Sequence, residues 1–531
     1  MGGVAPSCCS NDHPQERPES IKVEVDNALP APCFEELERS PADSLEVAPM
    51  WSKWSRMEGM RVLEVDPAIL RGIPLKDSLR AFGRLWHRSP IDLPEKERYS
   101  LYDRSLPVEG FDVFLSHTWL TPGKYKVLSL MFQAGWRQML FWQGLCVSIA
   151  SALCMLDMMP MPLALPPRFA FAPDTTYPYF PWCFLASFLG TCLGALLLPY
   201  TPDRKGRGTM CFFDVISIHQ ADQELMERGI YGLGGCLRVA QELRVLWSAP
   251  YLSRLWCVFE LGAYQKANPN GRIVLTPLYI EVGFMLALLG TYLATALFLM
   301  VVFMGSQGLG LVVSISFAPL LVLVHLLRRN NMAKQRLISD LKTFDLERAS
   351  CRTDFDRKFI TRAIVELYGS EEAFTQYVRG PLREEMLGSQ CHFPAQYVLM
   401  IGFTVFCAAL DSLVALWLGG MDTYWLWSEF IGFAVGLYMG WLVAAVQLLI
   451  SLCDWLAAPI RPGILLDYAQ SFVLLVVFAG LFYFGRLVCQ VAYKSSLWFA
   501  LAFAGGSLSL AVLAFWMDRR ERRRRHGLTV S

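Results

Sequence analysis

The chain has 531 residues, of which 54% are hydrophobic and only 18% are charged, against about a quarter charged in an average soluble domain. The apolar residues come in blocks of about twenty, the length that crosses a bilayer, so the composition argues against a secreted or a nucleic-acid-binding protein. The net charge of +1 and 15 cysteines without a CxxC pair give no indication of an acidic partner, a zinc site or a redox centre.

Residues 1–50 form an acidic, proline-rich segment with ten acidic residues, three basic residues and seven prolines. This composition predicts a disordered tail, because it offers too little apolar surface to form a core. The segment also lacks the apolar stretch of a cleavable signal sequence. A polar lead-in follows over residues 51–109.

Eight later stretches are long and apolar enough to cross about 30 Å of hydrocarbon, and they pair into four hairpins. Trp and Tyr cluster at several of their ends, as expected where aromatic rings meet lipid headgroups. The sequence therefore predicts a multi-pass α-helical membrane protein in contact with the lipid bilayer. The predicted spans are residues 139–156, 180–198, 282–304, 309–327, 397–418, 424–452, 463–488 and 497–517.

Basic residues predict the orientation of these spans, because loops rich in Lys and Arg stay on the cytosolic side. Arg204, Lys205 and Arg207 follow the second span, and the run RRERRRR follows the eighth span, from Arg519 to Arg525. We therefore expect both termini and the large polar segments in the cytosol, of a membrane that the sequence does not identify. The basic tail, residues 518–531, is also expected to attract anionic lipid headgroups.

Segments typical of strands and helices alternate between the hairpins. The run FDVFLS is typical of a buried parallel strand, and it is followed by the loop 117–123 and a short helix. This alternation predicts a parallel α/β sheet, split into residues 110–138 and 199–276, with an α-rich segment at 328–394 that could add a last strand and helix. Further strands are predicted at 210–214, 243–247 and 272–275, with a polar loop at 215–229, a helix near 233–241 and a second helix within SAPYLSRLWCVFELGAYQ.

Three blocks of this region carry a family resemblance. FDVFLSH, then FFD before a polar loop, then YLSRLWCVFEL resemble, in the right order, the motifs of a Toll/interleukin-1 receptor (TIR) domain. In that family a Ser-x-x-Trp-Cys-x-x-Glu helix follows the third strand. The resemblance implies a cytosolic TIR-like domain interrupted by membrane hairpins, a layout that is also similar to a group of polytopic protist proteins.

The resemblance also implies a chemistry. Some TIR domains hydrolyse NAD with one glutamate on this helix, and Glu260 stands at the matching position. One carboxylate is sufficient because the nicotinamide leaves as a neutral group, while the oxocarbenium-like transition state needs a nearby negative charge. Trp119 and His117 match the loop that lines the family's nucleotide pocket, and Asp214 and Ser253 match other motif positions. NAD would be the substrate, and no metal is implied.

Many TIR domains keep this motif and only assemble with one another. On that alternative Glu260 lies on the solvated side of its helix, and the loop 215–229 drives self-association or association with other TIR-like domains. The sequence therefore predicts a membrane-anchored signalling protein that acts by assembly, with NAD glycohydrolysis as the hypothesis for an enzymatic activity.

The membrane spans suggest a rival function. Asp411, Glu429 and Arg486 lie within predicted spans, and the predicted orientation brings them to the same leaflet. Intramembrane charges are candidates for a proton or ion pathway, and an interhelical ion pair is the structural alternative. A transporter or channel with a non-catalytic TIR-like regulatory domain is therefore the second functional hypothesis.

Small residues recur on one face of the sixth span. Gly432, Gly436 and Gly440 are spaced every fourth residue, so they lie on one side of a helix. This pattern predicts a face that another helix approaches closely.

Overall fold

The computed structural model describes residues 62–64, 66–165, 177–202, 208–303, 309–389, 393–460 and 463–527. The predicted disordered tail, residues 1–50, lies outside the described residues. So do the basic residues of 203–207 that helped to predict the orientation, and the side chains of the basic run beyond Arg520.

Six strands of the described residues form one sheet, and two more form a small separate hairpin. The strands are β1 Arg71–Pro74, β2 Leu106–Pro107, β3 Phe111–Ser116, β4 Leu163–Ala164, β5 Pro178–Tyr179, β6 Met210–Phe212, β7 Ala240–Trp247 and β8 Arg272–Pro277. The order in the sheet is β2-β1-β6-β3-β7-β8. Strands β6, β3, β7 and β8 are parallel, and β1 and β2 complete the edge in antiparallel pairs.

Helices make up most of the remaining structure. In chain order they are α1 Leu75–Ser78, α2 Arg80–Gly83, α3 Glu95–Tyr102, α4 Gly123–Met155, α5 Trp182–Leu197, α6 Asp214–Ser217, α7 Gln223–Tyr231, α8 Leu233–Arg238, α9 Leu255–Ala267, α10 Leu278–Phe303, α11 Leu309–Lys342, α12 Asp354–Tyr368, α13 Glu371–Tyr377, α14 Arg383–Ser389, α15 Ala395–Leu418, α16 Thr423–Trp455, α17 Ile464–Ser495 and α18 Leu497–Gly527. The middle of α16, Phe430–Trp441, is a π-helix. Short 3₁₀ or π turns occupy Pro67–Ile69, Arg84–Trp86, Pro90–Asp92, Leu198–Tyr200, Tyr251–Ser253 and Val378–Leu382.

Seven helices of the described residues are long and apolar enough to cross a bilayer, namely α4, α5, α10, α15, α16, α17 and α18. They coincide with seven of the eight predicted spans and are the features of a membrane-embedded, multi-pass protein. The other predicted span, residues 309–327, begins α11, and the side chains of its first nine residues, 309–317, lie outside the described part.

The sheet confirms the four predicted strands and corrects several boundaries. The predicted short helix after residue 123 and the first span are one helix, α4, of 33 residues, which is about 50 Å long. The predicted polar loop 215–229 contains most of α6 and most of α7. Helix α8 ends at Arg238 because Ala240 already belongs to β7, which pairs with β3.

The α-rich segment 328–394 adds helices to the fold but no strand within its described residues, so the expectation of a last strand was wrong. The end of α11 and helices α12, α13 and α14 account for most of it, and a single bridge joins Ser350 to Arg254. Aromatic side chains hold this segment against α9, because Phe359 packs on Trp256 and Phe259.

The membrane helices are joined by polar contacts as well as apolar packing. Gln143 of α4 donates to hydroxyls of Ser187, Tyr292 and Thr404 on three other helices. These bonds satisfy buried polar groups that would be costly in hydrocarbon.

A buried ion pair joins α11 to α17. The Arg328 Nη2 atom lies 2.9 Å from the Asp467 Oδ1 atom, and the guanidinium also donates to the Ser471 hydroxyl and the Leu456 carbonyl. Pairing and hydrogen bonding together make a buried charge tolerable.

The predicted small-residue face of α16 is confirmed. A Cβ added to Gly440 would lie 2.6 Å from the Ser507 Cβ of α18 and 2.9 Å from the Leu508 backbone nitrogen. Gly432 and Gly436 meet the same helix at Ala500 and Phe503, so the absence of side chains on this face allows the two helices to pack closely.

Candidate functional site

The candidate site lies where β3 and β6 end. In parallel sheets the segments that follow the carboxyl ends of neighbouring strands meet at one edge, which is where ligands usually bind. His117 and Trp119 follow β3, and Asp214 follows β6 as the first residue of α6. Helix α9 brings Glu260 to the same place.

Asp214 joins the residues that follow the two strands. The Trp119 indole Nε1 donates to the Asp214 Oδ2 atom at 2.9 Å, and the His117 Nε2 atom lies 3.8 Å from the Oδ1 atom. Burial raises the pKa of Asp214, while the Trp119 hydrogen bond and the charge of Lys126 oppose that rise. The carboxyl group therefore fixes the Trp119 ring by a hydrogen bond and lies beside the His117 imidazole at the edge of the sheet.

Glu260 is partly buried beneath this edge. The hydroxyl of Ser116, the last residue of β3, donates to the Glu260 Oε2 atom and is also hydrogen-bonded to the Tyr251 hydroxyl. Burial raises the pKa of Glu260 to about 8, the Ser116 hydrogen bond opposes the rise, and the negative charge of Asp214 adds to it. At neutral pH the free site therefore holds mostly the protonated carboxyl group.

Lys126 is a cation that the sequence did not single out. Its side chain is fully buried, and its Nζ atom lies 4.7 Å from the centre of the Trp119 ring. Among the described residues this ammonium group has no hydrogen-bond partner. A buried, incompletely satisfied ammonium beside an aromatic ring is suited to bind an anionic group such as a phosphate.

The start of α4 explains why Lys126 is buried. Helix α4 begins at Gly123, where a Cβ would lie only 1.9 Å from the Trp86 carbonyl oxygen. The missing side chain lets the first turn pack directly against Trp86, and Lys126 follows three residues later. Gly123 therefore allows the close approach that places Lys126 next to the site.

His117 is a neutral imidazole at physiological pH. Burial lowers its pKa well below the usual value, and the nearby Lys126 charge acts in the same direction. Its ring contacts Trp86 and Trp119 edge to face, at centroid distances of 5.2 and 4.8 Å. A neutral His117 can act as a hydrogen-bond donor or acceptor.

Four of the five residues implied by the resemblance come together, namely Glu260, Trp119, His117 and Asp214. Ser253 is exposed, and its hydroxyl donates to the Pro250 carbonyl at 2.8 Å. Its backbone carbonyl accepts from Ser350, so its described contacts fasten the start of α9 to the segment before α12.

Sequence reasoning missed Ser116, Tyr251 and Lys126. Ser116 had a usable signal, because a polar residue ending an apolar strand points to the active edge of a parallel sheet. Lys126 had none, since an isolated lysine in the first turn of a helix is usually solvated.

The intramembrane residues occupy two separate places. Asp411 accepts hydrogen bonds from the backbone amides of Cys183 and Phe184, at 2.7 and 3.0 Å. These amides belong to the first turn of α5 and have no partner within their own helix. Asp411 is therefore a cap for α5 and does not join the predicted cluster, whereas Glu429 and Arg486 line one cavity between the membrane helices.

Within the described residues, no three His, Cys, Asp or Glu side chains form a group that could hold a metal ion. No protein-family model, no curated protein and no solved structure matches this chain significantly. The likeness to TIR domains therefore remains a prediction from the three sequence blocks.

Proposed function

We propose that this protein is a membrane-anchored TIR-like signalling protein whose sheet domain lies in the cytosol and cleaves NAD with Glu260 as the catalytic carboxylate. The observation that carries the proposal is that the partly buried Glu260 is hydrogen-bonded to the end of β3 and interacts electrostatically with Asp214, which holds Trp119 beside the buried ammonium group of Lys126. These groups match the parts of a dinucleotide that carries a positively charged pyridinium ring and a diphosphate.

Each group has a role suited to its chemistry. Lys126 would bind the diphosphate, and the partly exposed ring of Trp119 would stack on a base or on the nicotinamide. The positive pyridinium ring would lower the pKa of Glu260 on binding, so substrate would itself favour the carboxylate. Asp214 would fix Trp119 through the indole hydrogen bond.

The reaction needs no acid. The bond between the ribose carbon and the nicotinamide nitrogen breaks, and its electron pair neutralises the pyridinium ring. The Glu260 carboxylate would stabilise the positive charge that develops on the ribose. Water then adds to that carbon and releases a proton, leaving ADP-ribose and nicotinamide.

The test is nicotinamide release by the full-length protein in lipid nanodiscs. Glu260→Gln preserves the size of the side chain and removes the negative charge, so we expect turnover to fall by at least about a hundredfold. Glu366→Gln, at an exposed position on α12, is the matched control and should leave turnover unchanged. Equal turnover in Glu260→Gln and wild type would refute the catalytic role.

Assembly is the second part of the proposal, and residues 215–229 are the surface that it uses. Gln223 and Glu224 of α7 are exposed there. The double variant Gln223→Arg and Glu224→Arg should release less nicotinamide than wild type at low protein density. Artificial clustering of this variant should restore the release. Absence of turnover in clustered wild-type protein would exclude catalysis and leave assembly as the function.

The transporter or channel hypothesis has less support. Both carboxylate oxygens of Asp411 accept backbone hydrogen bonds, and the cavity beside Glu429 and Arg486 has mostly apolar walls. Ion flux in liposomes that falls in Arg486→Gln and is unchanged in Glu260→Gln would favour this alternative.

A further inference from the structure

The membrane region contains a cavity of about 290 Å³ that is surrounded by five helices. Around the cavity each helix packs against the next, in the order α10, α11, α17, α16, α15 and back to α10. The walls are mainly Leu, Phe, Val, Ile and Ala side chains. The cavity is therefore an internal, mostly apolar space along the centre of a ring of helices.

Small residues on two of the helices create this space. They recur every three or four positions, so they lie on one face of each helix. The Thr291 hydroxyl donates to the Ala287 carbonyl at 2.8 Å, so this hydroxyl is satisfied within its own helix and adds little polarity to the wall. The small residues of the lining are Gly283, Ala287, Thr291, Ala294 and Thr295 on α10, and Ala408, Ala409 and Ser412 on α15.

The size and shape of the cavity suit a slender molecule. The face of α10 that lines it extends from Gly283 to Phe303, a distance of about 30 Å along an α-helix. The volume is nearly twice the roughly 150 Å³ that encloses one benzene molecule in a protein core, which is room for about twelve carbon atoms. Because this volume is spread along the helices, it fits an extended chain better than a compact ring system.

One end of the cavity is polar and the other is apolar. The Ser428 hydroxyl donates to the Tyr493 carbonyl at 2.7 Å, which places the start of α16 beside the end of α17. The polar residues of the lining belong to these two segments and are Glu429, Arg486, Gln490 and Lys494. At the opposite end the lining includes Leu327 of α11 and Leu449 of α16.

The charged residues at the polar end are used within the protein. Glu429 and Lys494 interact electrostatically, and Arg486 and Lys494 take part in further interactions with the rest of the chain. A ligand therefore need not supply a charge, and a charged head group would lose its hydration without gaining a dedicated counter-charge. The Gln490 amide offers a neutral donor and a neutral acceptor, which suit an uncharged polar head.

We propose that this cavity is a binding site for one neutral single-chain amphiphile, an unbranched hydrocarbon chain of about twelve carbons with an uncharged hydroxyl head at Gln490. The site is separate from the Glu260 site, and it does not depend on the proposed NAD chemistry.

The experiment uses the full-length protein in phosphatidylcholine nanodiscs and a dodecanol analogue with a photoactivatable diazirine on its chain. We expect the crosslinks to map to the lining residues of α10, α15, α16 and α17. Unlabelled dodecanol should prevent this labelling at a concentration at least about tenfold lower than cyclododecanol, which has the same carbons and hydroxyl but is a ring. Dodecylammonium should also compete at least about tenfold less well than dodecanol. Competition by cyclododecanol or by dodecylammonium that equals competition by dodecanol would overturn the proposal.

Two variants of α10 test the position of the site. Ala294→Phe fills the cavity lining and should abolish the labelling, whereas Ala296→Phe, two residues away at an exposed position outside the lining, should not. Thermal unfolding of both variants shows whether they fold. Labelling of the lining at the wild-type level in folded Ala294→Phe would overturn the proposal.

Gln490→Leu tests the polar head without filling the cavity. The two side chains are similar in size, and the change removes the amide. We expect dodecanol to compete about fivefold less well in this variant, the effect of one neutral hydrogen bond, and dodecane to compete as it does in wild type. An equal loss of competition by dodecanol and dodecane, or no loss by dodecanol, would overturn the proposal.

Discussion

The ionisation of Glu260 should control the pH dependence of NAD cleavage. Burial raises its pKa to about 8, so about one tenth of the free protein carries the carboxylate at pH 7. Because the carboxylate is the form that stabilises the transition state, kcat/KM should rise about tenfold per pH unit below the pKa and level off above it. His117 should add no step near neutral pH, because burial keeps it unprotonated there.

Two substitutions should move the midpoint of this profile in opposite directions. Ser116→Ala removes a hydrogen bond that lowers the pKa of Glu260, so the midpoint should move to higher pH. Asp214→Asn removes a negative charge that raises the same pKa, so the midpoint should move to lower pH. We expect each shift to be roughly half a unit to one unit. A midpoint is informative even where a variant lowers the overall rate.

The assay is the initial rate of nicotinamide release in nanodiscs at low NAD concentration, from about pH 6 to about pH 10, since kcat/KM reports the ionisation of the free enzyme. Glu366→Gln serves as the control for a surface carboxylate. A flat profile over this range, which is the result for a midpoint near 4.5, the ordinary glutamate value, would refute the reasoning. Shifts of the same sign in Ser116→Ala and Asp214→Asn would refute it as well.

Three further predictions concern the membrane helices, and thermal unfolding in nanodiscs checks each of them. Gly440→Ala should destabilise the protein by about 1–3 kcal/mol through overpacking, while Gly506→Ala, where a Cβ meets nothing within 4 Å, should be tolerated; equal effects would contradict the packing. Asp411→Ala should lower the free energy of unfolding by about 2–4 kcal/mol, because two buried amides of α5 lose their acceptor. A decrease under 1 kcal/mol, on the order of one ordinary hydrogen bond, would argue against the cap. Arg328→Met should lower the free energy of unfolding by about 3–5 kcal/mol. Adding Asp467→Leu should recover much of that stability. Additive losses of stability in the double variant would show that the two charges are not coupled.

The elements that the sequence predicted have local signals. A run such as FDVFLS or a block of twenty apolar residues determines its own element with little help from the rest of the chain. Strands β1 and β2 have no such signal, because RGIP and LP contain Gly or Pro and do not alternate. They are strands only because the edge of β6 offers β1 a partner.

The sequence did not indicate that α4 is one continuous helix. Arg137 falls between the predicted short helix and the predicted first span, and a charge at such a position makes one continuous helix hard to recognise from hydrophobic periodicity. In the structure Arg137 is exposed and lies 5.1 Å from the Trp136 ring, so it does not interrupt the helix. Sequence periodicity could not distinguish one 33-residue helix from two shorter ones.

The candidate site was only partly predictable for a related reason. Glu260, Trp119, His117 and Asp214 belong to short motifs, whereas the contacts that set their chemistry are between distant segments. The partner of Glu260 is Ser116, 144 residues earlier in the chain. Neither the raised pKa of Glu260 nor the burial of Lys126 can be deduced without knowing which segments pack together.

The membrane helices and the sheet depend on one another in this fold. Strands β3 and β6 pair in parallel, with Val113 opposite Cys211, although α4 and α5 lie between them in sequence. Thr201, just after that hairpin, accepts hydrogen bonds from Gln138 of α4 and Lys76 of α1, so the chain returns beside the point where it left. Lys126 belongs to α4 itself. The geometry of the site is therefore set by helix packing in the membrane region as well as by the sheet, and the hairpin is a structural part of the site.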